Sequence, residues 1–155
     1  MITEHEILLA SPADASAIAQ LSRDAIEHGL SWRWTPGRVL RCIQDESTNV
    51  AVARRSGSLQ GFAIMQYGDD NAHIALFAVQ AGQRRRGLGS ALLGWLDATA
   101  RVAGIQSIRL ELRVSNAQAK SFYGRHGFEE CGVSAGYYEG VEDALRMVKR
   151  FGPSS

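Results

Sequence analysis

Three β-rich runs joined by short polar turns constrain the fold of this chain more than any other feature of its sequence. The runs Asn49 to Arg55 and Leu59 to Tyr67 are separated by Ser56-Gly57-Ser58, whose composition is typical of a hairpin turn. A second turn, Gly68 to Asn71, leads into the third run, Ala72 to Val79. Successive strands with such short connections predict an antiparallel meander in the middle of the chain.

Helix-start signals occur twice before this meander. Ser11-Pro12-Ala13-Asp14 supplies an N-cap residue, a proline at the first helical position and an acid in the first turn. The helix that begins there is expected to end near Gly29. Thr35-Pro36 repeats the signal and predicts a second helix from Pro36 to Gln44. The remaining features of this region are a first strand His5 to Leu9, an inner helix face of Ile18, Leu21 and Ala25 at three-and-four spacing, and a bridge from Leu30 to Trp34 between the helices.

The chain after the meander alternates helices and strands. Residues from Gly87 to Ala103 follow a helical period, and Ser107 to Arg113 alternates apolar with charged residues, which is typical of a strand with one buried face. A further helix, Asn116 to His126, precedes two strands, Phe128 to Ser134 and Ala144 to Phe151, joined by a connection that contains glycine and tyrosine. The order β-α-α-β-β-β-α-β-α-β-β predicts an α/β fold of the α+β type, with a mixed sheet covered by helices.

Composition limits the classes of protein to which the chain can belong. Its 155 residues are 45% hydrophobic and 21% charged, so we expect one domain over residues 1–151 and a short tail over 152–155. A formal charge of +1 argues against a dedicated nucleic-acid binder. No apolar run approaches the roughly 20 residues that span a bilayer, and residues 1–6 carry acids rather than the bases of a signal peptide. We therefore expect a cytoplasmic protein that binds neither nucleic acid nor membrane.

Cysteine and histidine usage predicts no metal site. Cys42 and Cys131 are the only cysteines, which excludes a thiolate cluster and a disulfide framework, and the four histidines show no pairing at metal-ligand spacing. Both cysteines are interpreted as small buried apolar side chains rather than nucleophiles.

The loop Arg84-Arg85-Arg86-Gly87-Leu88-Gly89 lies between a predicted strand and a predicted helix. A helix start carries unpaired N–H groups and a partial positive charge, and glycine lets the main chain approach a phosphate closely. The loop therefore predicts an anion site that suits a pyrophosphate, with a solvated loop at a helix start as the alternative. It lacks the Gly-Lys-Ser/Thr ending of a nucleotide P-loop, and Leu92 stands where the dinucleotide fingerprint requires a third glycine. An arginine patch for nucleic acid is a further alternative, but no aromatic residue interleaves it.

With this loop the sequence resembles the GNAT superfamily of acetyltransferases, whose motif R/Q-x-x-G-x-G/A matches Arg84 to Gly89. A more specific resemblance, strong from about Ala72 to Val148, is to the bacterial ribosomal-protein-alanine N-acetyltransferases. It is carried by Leu110-Glu111-Leu112-Arg113, Ser115-Asn116, Ala119, Phe122-Tyr123, Gly127-Phe128, Tyr137-Tyr138, Glu142-Asp143-Ala144 and Met147. The resemblance implies a mostly antiparallel sheet of about seven strands flanked by about four helices, in an acyltransferase that uses acetyl-CoA as co-substrate.

Site residues follow from the resemblance, position by position. It implies that Glu111 is the general base, Tyr123 the general acid and Asn116 a coenzyme ligand. The backbone from Phe77 to Val79 would pair with the pantetheine arm like an added strand. The pyrophosphate would be held by residues of the loop and of the helix start, namely Arg84, Arg85, Arg86, Gly87, Leu88, Gly89 and Ser90.

Each catalytic role has a structural alternative. Glu111 stands between Arg109 and Arg113, whose charges would hold the pKa of a solvated carboxylate down. To act as base it would need a raised pKa, because an N-terminal amine with a pKa of about 8 and a lysine at about 10.4 are mostly protonated at neutral pH. The structural alternative for Tyr123 is packing in the core. As the general acid it would give the leaving sulfur either a proton or only a hydrogen bond, since a tyrosine is ordinarily a weaker acid than a thiol. The backbone N–H of Val79 is our candidate donor to the oxyanion.

The acceptor is expected between the bridge and the C-terminal hairpin. Trp32, Trp34, Tyr137 and Tyr138 are candidate walls, with core packing or interface burial as the alternative for each. The bridge departs from the resembled group, in which we expect one tryptophan followed by an acid. Three hypotheses follow: transfer to a protein N-terminus, transfer to a small amine such as a polyamine or an amino acid, and a non-catalytic acyl-CoA-binding module. Both a monomer and a homodimer are compatible with the sequence.

Overall fold

The structure, a computed structural model, describes residues 5–83 and 87–152. Within these ranges one sheet of seven strands is flanked by four α-helices. The strands are β1 Glu6–Leu9, β2 Thr48–Arg55, β3 Ser58–Tyr67, β4 Asn71–Val79, β5 Ser107–Arg113, β6 Glu129–Tyr138 and β7 Glu142–Arg150. The helices are α1 Ala15–Ala25, α2 Pro36–Gln44, α3 Leu88–Val102 and α4 Ala117–Arg125.

The strands follow the order β1-β2-β3-β4-β5-β7-β6 across the sheet. All neighbouring pairs are antiparallel except β4 with β5, which are joined by α3 as a crossover helix. The predicted meander, β2 to β4, and the mixed, mostly antiparallel sheet are confirmed. Two cores lie on opposite faces of this sheet. One packs under α1 and α2 and includes Ile18, Leu21, Val39, Phe62 and Ile64, and the other packs under α3 and α4 and includes Leu92, Leu96, Ile108, Leu110 and Phe128.

Helix α2 begins at its predicted cap, whereas α1 begins later and ends earlier than expected: Pro12–Asp14 form a 3-10 turn and α1 begins only at Ala15. Thr35 caps α2 through its hydroxyl, which accepts a hydrogen bond from the N–H of Arg38 at 3.4 Å. Helix α1 ends at Ala25, four residues before Gly29, because Glu27 folds back on its last turn. The N–H of Glu27 donates to the Ser22 carbonyl, and its buried carboxylate accepts from the Ser22 hydroxyl at 2.8 Å.

The C-terminal hairpin is longer than its sequence pattern indicates. Tyr137 and Tyr138, which we placed in the connection, belong to β6, and the turn is made by residues 139–141. Glu139 and Gly140 take the positive φ angles of this turn, +54° and +73°. The expectation of buried cysteines is wrong for Cys131, which is exposed because β6 is an edge strand.

A β-bulge at Ala75 sets the geometry of the site. In the β3–β4 ladder Ile64 pairs with Leu76, whereas Met65 pairs with Ile74, so Ala75 is an extra residue in β4. A bulge bends its strand, and it also places its two flanking residues on opposite faces of the sheet. Ile74 lies in the α3/α4 core and Leu76 in the α1/α2 core. The pairing of β4 with β5 ends at Ile74, immediately before the bulge.

Candidate active site

A gap opens between β4 and β5 beyond Ile74. From that point β5 continues along β7 through Arg113, while the end of β4 stays paired with β3. The N–H of Gln80 donates to the carbonyl of Gln60 at 2.7 Å, which makes these residues a hydrogen-bonded pair of the ladder. Hydrogen-bonded and non-bonded pairs alternate along an antiparallel ladder. Counting back from Gln80, the residues 77 and 79 therefore direct their N–H and C=O groups away from β3, into the gap.

Ala78 differs from its two neighbours in this respect. It lies opposite Phe62 in a hydrogen-bonded position of the ladder, so its backbone polar groups face β3. Of the three residues that we expected to offer their backbone to a ligand, Phe77 and Val79 do so and Ala78 does not.

Helix α3 begins beside this gap. Gly87 precedes it with φ +82°, a conformation that favours glycine, and no atom lies within 4 Å of the position that a Cβ would take there. The first N–H groups of the helix, those of Leu88, Gly89 and Ser90, have no partner within an α-helix, and its first turn holds no acidic residue. Unpaired donors beside open space, without a competing carboxylate, fit a diphosphate group. Arg84, Arg85 and Arg86 lie outside the described residues.

Gly89 has a packing role that the motif does not reveal. A Cβ at this position would stand 3.2 Å from two ring carbons of Phe122. The glycine therefore allows α3 to approach α4 closely. The hydroxyl of Ser90 makes a further contact between these helices, at 2.9 Å from Nε2 of His126.

Glu111 lies in a cluster of hydrogen-bonding side chains at the gap. Its Oε1 is 2.6 Å from Nε2 of His73 on β4 and accepts from the Tyr137 hydroxyl at 3.2 Å. Its Oε2 is 3.7 Å from Nη1 of Arg109, and only 10% of its side chain is exposed. Glu111 is thus held by three partners from three strands.

The net effect of these surroundings is to lower the pKa of Glu111. Burial is the largest single influence and by itself would raise the pKa. Hydrogen bonds from His73 and Tyr137, together with the charges of His73 and Arg109, outweigh it. The raised pKa that the sequence argument required is therefore absent. Arg113 plays no part in this, because it pairs instead with Glu142 at 3.7 Å.

Tyr123 of α4 is buried in the core that packs under α3 and α4. Its ring makes edge-on contacts with Phe77, Phe122 and Phe128 at centroid distances of 6.0, 5.2 and 5.6 Å. Burial is the main reason why its pKa is raised well above the ordinary value, with a smaller contribution from Tyr138. Among the described residues its hydroxyl has no hydrogen-bond partner. The Tyr123 side chain therefore packs in the core and, through its contact with Phe77, also lies near the gap.

Asn116 forms the N-cap of α4. Its Oδ1 accepts a hydrogen bond from the N–H of Ala119 at 3.0 Å. The carboxamide oxygen is therefore committed to the helix, and the Nδ2 amide is the part that can donate to a ligand.

The four aromatic candidates for the acceptor walls separate into two groups. Tyr137 contacts Glu111 directly and stacks edge-on against Tyr138 at 5.0 Å. Trp34 lies under the guanidinium of Arg38 at 3.8 Å, and the charge of Arg38 also acts on Tyr137. Trp32 is directed toward α1, where its indole N–H donates to the Ala19 carbonyl at 3.3 Å.

Three charged residues to which the sequence assigned no such role hold the segment between α1 and α2 in place. The buried carboxylate of Glu27 accepts the N–H groups of Arg33 and Trp34 at 2.8 and 3.1 Å. Arg113 of β5 donates to the carbonyls of residues 26 and 28 at 3.0 and 2.7 Å. Glu139, at the β6–β7 turn, accepts from the N–H of Ser31. No local pattern marks these residues, since each contact joins segments that are distant in the sequence or lies within an irregular turn.

His73 was also missed. Its contact with Glu111 depends on the parallel register of β4 and β5, in which His73 lies opposite Arg109. That pairing across α3 has no signal in the sequence of either strand.

Two other kinds of site are absent from residues 5–83 and 87–152. No group of three or more His, Cys, Asp or Glu side chains in these ranges is arranged to hold a metal ion. None of the helices there has the length and apolar character needed to cross a membrane.

The family profile of the Acetyltransferase (GNAT) family matches residues 16–128 of this chain. The chain belongs to this family. The matched region contains the β4 bulge, the gap, the start of α3 and the contact of His73 with Glu111, whereas Tyr137 lies beyond it. The GNAT assignment confirms the resemblance and the class of acyltransferase that the sequence indicated.

Two relatives are similar to this GNAT domain in sequence. An uncharacterized N-acetyltransferase of Methanocaldococcus jannaschii is 37% identical over 100 residues, which are 64% of this chain and 64% of that protein. The [ribosomal protein bS18]-alanine N-acetyltransferase of Escherichia coli strain K12 is 38% identical over 96 residues, 60% of this chain and 65% of that enzyme. The chain therefore matches slightly less than two thirds of the length of each relative.

Solved GNAT structures have the same fold. Ard1 of Thermoplasma volcanium superposes with a TM-score of 0.87 at 28% identity, over 98% of this chain and 100% of that one. The PaiA N-acetyltransferase of Thermoplasma acidophilum, which was solved in complex with coenzyme A, has a TM-score of 0.81 at 18% identity, over 96% and 99% of the two chains.

Proposed function

We propose that this chain transfers the acetyl group of acetyl-CoA to the α-amine of a protein N-terminus, by direct attack of the amine on the thioester. The observation that carries this proposal is the gap between β4 and β5, which has the start of α3 on one side and the Glu111 cluster on the other. A coenzyme bound along the gap would bring its thioester to the side chains that can receive an amine. The relative from Escherichia coli, which acts on an alanine of a ribosomal protein, supports the N-terminal acceptor.

The coenzyme-binding residues divide by the part of the ligand that they suit. The N–H groups of Leu88, Gly89 and Ser90 bind the diphosphate, with charge from Arg84–Arg86 and space provided at Gly87. The backbone groups of Phe77 and Val79 bind the amides of the pantetheine arm in the manner of an added strand. The Nδ2 amide of Asn116 donates a further hydrogen bond.

Bound acetyl-CoA supplies the thioester, and the protein supplies the groups that handle charge. The Glu111 cluster receives the incoming amine and withdraws its proton. Negative charge develops on the carbonyl oxygen during attack, and the N–H of Val79, directed into the gap, donates to it. Tyr123 gives a hydrogen bond to the leaving sulfur, because its raised pKa makes it a poor source of a proton.

The acidity of the amine supports an N-terminal acceptor over a lysine. An α-amine has a pKa of about 8 and a lysine amine of about 10.4, a difference that corresponds to about 3 kcal/mol in the cost of deprotonation. A cluster in which the carboxylate has a lowered pKa accepts a proton weakly, so it favours the more acidic amine. Tyr137 and Trp34 form the walls beside this amine, and Trp32 stabilises the bridge from the α1 side.

An acceptor screen tests the proposal. Acetyl-CoA binding is measured first by calorimetry, and release of free thiol is then followed with three acceptor classes: peptides with a free N-terminus, the same peptides blocked at the N-terminus but carrying a lysine, and small amines. We expect thiol release with the first class alone, with the acetyl group located on the α-amine by mass spectrometry. If only small amines are acetylated, the acceptor is a small amine and not a protein N-terminus. If acetyl-CoA binds but no acceptor is acetylated, the chain is a non-catalytic acyl-CoA-binding module. If acetyl-CoA does not bind at millimolar concentration, the proposal is overturned.

A further inference from the structure

The contact between His73 and Glu111 determines where their shared proton lies. Nε2 of the imidazole and Oε1 of the carboxylate are 2.6 Å apart, with 18% and 10% of the two side chains exposed. Two lone pairs cannot face each other at this distance, so a proton must stand between the two atoms. When the imidazole is neutral and the carboxylate is ionised, that proton belongs to Nε2, because the neutral imidazole carries one N–H. The other ring nitrogen, Nδ1, then carries the free lone pair.

We propose that His73 is the group that takes the proton of the acceptor amine, on Nδ1, while Glu111 orients the ring and stabilises the imidazolium that forms. The inference rests on the proposed function and assigns the base within it. The step is balanced: the ammonium loses one proton and becomes the free amine, and the pair of carboxylate and neutral imidazole becomes a pair of carboxylate and imidazolium. No oxidant or further reactant takes part. The arrangement has the same logic as a carboxylate–histidine pair in a hydrolase triad.

Acid–base strength supports this assignment of roles. As free groups, an imidazole is a stronger base than a carboxylate, so it takes a proton from an amine at a lower cost in free energy. A carboxylate in contact with the ring then serves to stabilise the charge that the ring acquires.

Other charged and titratable groups surround the pair. From β5, Arg109 lies 3.7 Å from Oε2 of Glu111, and from β6 the Tyr137 hydroxyl donates to Oε1. From α2, Arg38 acts on Tyr137 through its charge. On β3, the residue opposite His73 is Gln66, which is uncharged. Among these groups, Glu111 is the one in direct contact with the ring, so we assign to its carboxylate the role of orienting the ring and stabilising the imidazolium.

Nuclear magnetic resonance tests the proton positions without any substrate. The ring nitrogens of His73 are assigned in ¹⁵N-labelled protein by comparison with His73→Gln. We expect the neutral ring to carry its proton on Nε2 and to leave Nδ1 unprotonated. In Glu111→Gln the preference for this tautomer should weaken, because the ionised acceptor is lost. A neutral ring that carries its proton on Nδ1, or a tautomer preference that Glu111→Gln leaves unchanged, would overturn the inference.

A pH profile of kcat/KM tests the role in turnover. With a peptide N-terminus as acceptor, we expect the wild-type protein to reach a plateau below the pKa of the amine, because the pair deprotonates the ammonium. His73→Gln should lose the plateau and follow the fraction of free amine, so that a deficit of about 100-fold at pH 7 becomes less than about 10-fold at pH 9. Glu130→Gln, which changes an exposed carboxylate on β6, serves as the control and should retain the wild-type profile.

The outcomes separate this inference from the proposed function. If the wild-type protein acetylates no N-terminus, the proposed function fails, whereas a deficit in His73→Gln that is equal at all pH values leaves the function and overturns the role of His73. Thermal unfolding and acetyl-CoA calorimetry verify that His73→Gln is folded. If that variant does not fold, the ring-nitrogen signals of wild type and Glu111→Gln decide the question, since the remaining histidine signals can be assigned through single substitutions of the other histidines.

Discussion

The N–H of Ser31 donates a hydrogen bond of 2.8 Å to the carboxylate of Glu139, which joins the bridge between α1 and α2 to the turn between β6 and β7. Arg33 lies 3.6 Å from the second oxygen of the same carboxylate. These two segments are the proposed walls of the acceptor site, and Ser31 and Glu139 are both exposed. The hydrogen bond therefore sets the width of the acceptor entrance rather than the stability of the core.

Replacement of Glu139 should alter acceptor binding alone. In Glu139→Ala the carboxylate that holds the turn against the bridge is absent, so we expect the KM for a peptide acceptor to rise several-fold, with kcat and acetyl-CoA affinity close to the wild-type values. Steady-state kinetics and calorimetry measure these quantities. Glu130→Ala, an exposed carboxylate elsewhere on β6, is the matched control, and an equal rise of KM in both variants would contradict the prediction.

Glu111 should contribute to the pH dependence of stability. A carboxyl group whose pKa is lower in the folded than in the unfolded state stabilises the fold above its ordinary pKa, and this contribution is lost as the pH falls through the folded value. From about pH 5 downward we therefore expect the free energy of unfolding of the wild-type protein to fall more steeply than that of Glu111→Gln. Urea denaturation between pH 6 and 3 measures both slopes, and parallel curves would refute the expectation.

Tyr123→Phe should separate the hydroxyl from the ring. The ring contacts with Phe77, Phe122 and Phe128 are retained, and among the described residues the hydroxyl bonds to nothing, so the melting temperature should change little. A hydrogen bond to the leaving sulfur would be lost, and we expect kcat to fall by about 10- to 100-fold at unchanged acetyl-CoA affinity. An unchanged kcat would leave Tyr123 with a packing role only.

Two glycines of α3 provide a matched pair. Gly89→Ala places a methyl group 3.2 Å from the Phe122 ring, and we expect a loss of about 1–3 kcal/mol in stability together with weaker acetyl-CoA binding. Gly94→Ala, on the same helix with no atom within 4 Å of the new Cβ, should gain up to about 1 kcal/mol. Thermal unfolding of both variants checks the opposite signs. Phe122→Leu in the Gly89→Ala background should restore part of the loss, and a Gly89→Ala variant as stable as Gly94→Ala would contradict the packing argument.

Local signals in the sequence predicted the elements well where the information is local. The Thr35-Pro36 cap predicted α2 from Pro36 to Gln44 without error, and the alternation from Ser107 to Arg113 predicted β5 with its bounds. Both depend on a residue and its near neighbours alone. The early end of α1 was missed because it requires the buried carboxylate of Glu27 to fold back on Ser22.

The Ala75 bulge could not have been predicted. From Ile74 to Val79 every residue is apolar, so the sequence gives no signal of which side chains share a face or where an extra residue stands. Both faces of β4 are covered by helices, so an apolar residue is suitable on either side, and the change of face between Ile74 and Leu76 leaves no polar residue out of place. The contact of His73 with Glu111 and the lowered pKa of that carboxyl depend on the same pairing of distant strands.

The Ala75 bulge also separates two requirements on β4. Without this one residue, regular alternation from Ile74 onward would assign the side chains of Leu76 and Phe77 to the same faces that they occupy now. The side chains that fill the two cores are thus independent of the residue that interrupts the ladder. A change in the number of residues at this point can therefore alter the opening in the sheet without altering which side chains form the interior.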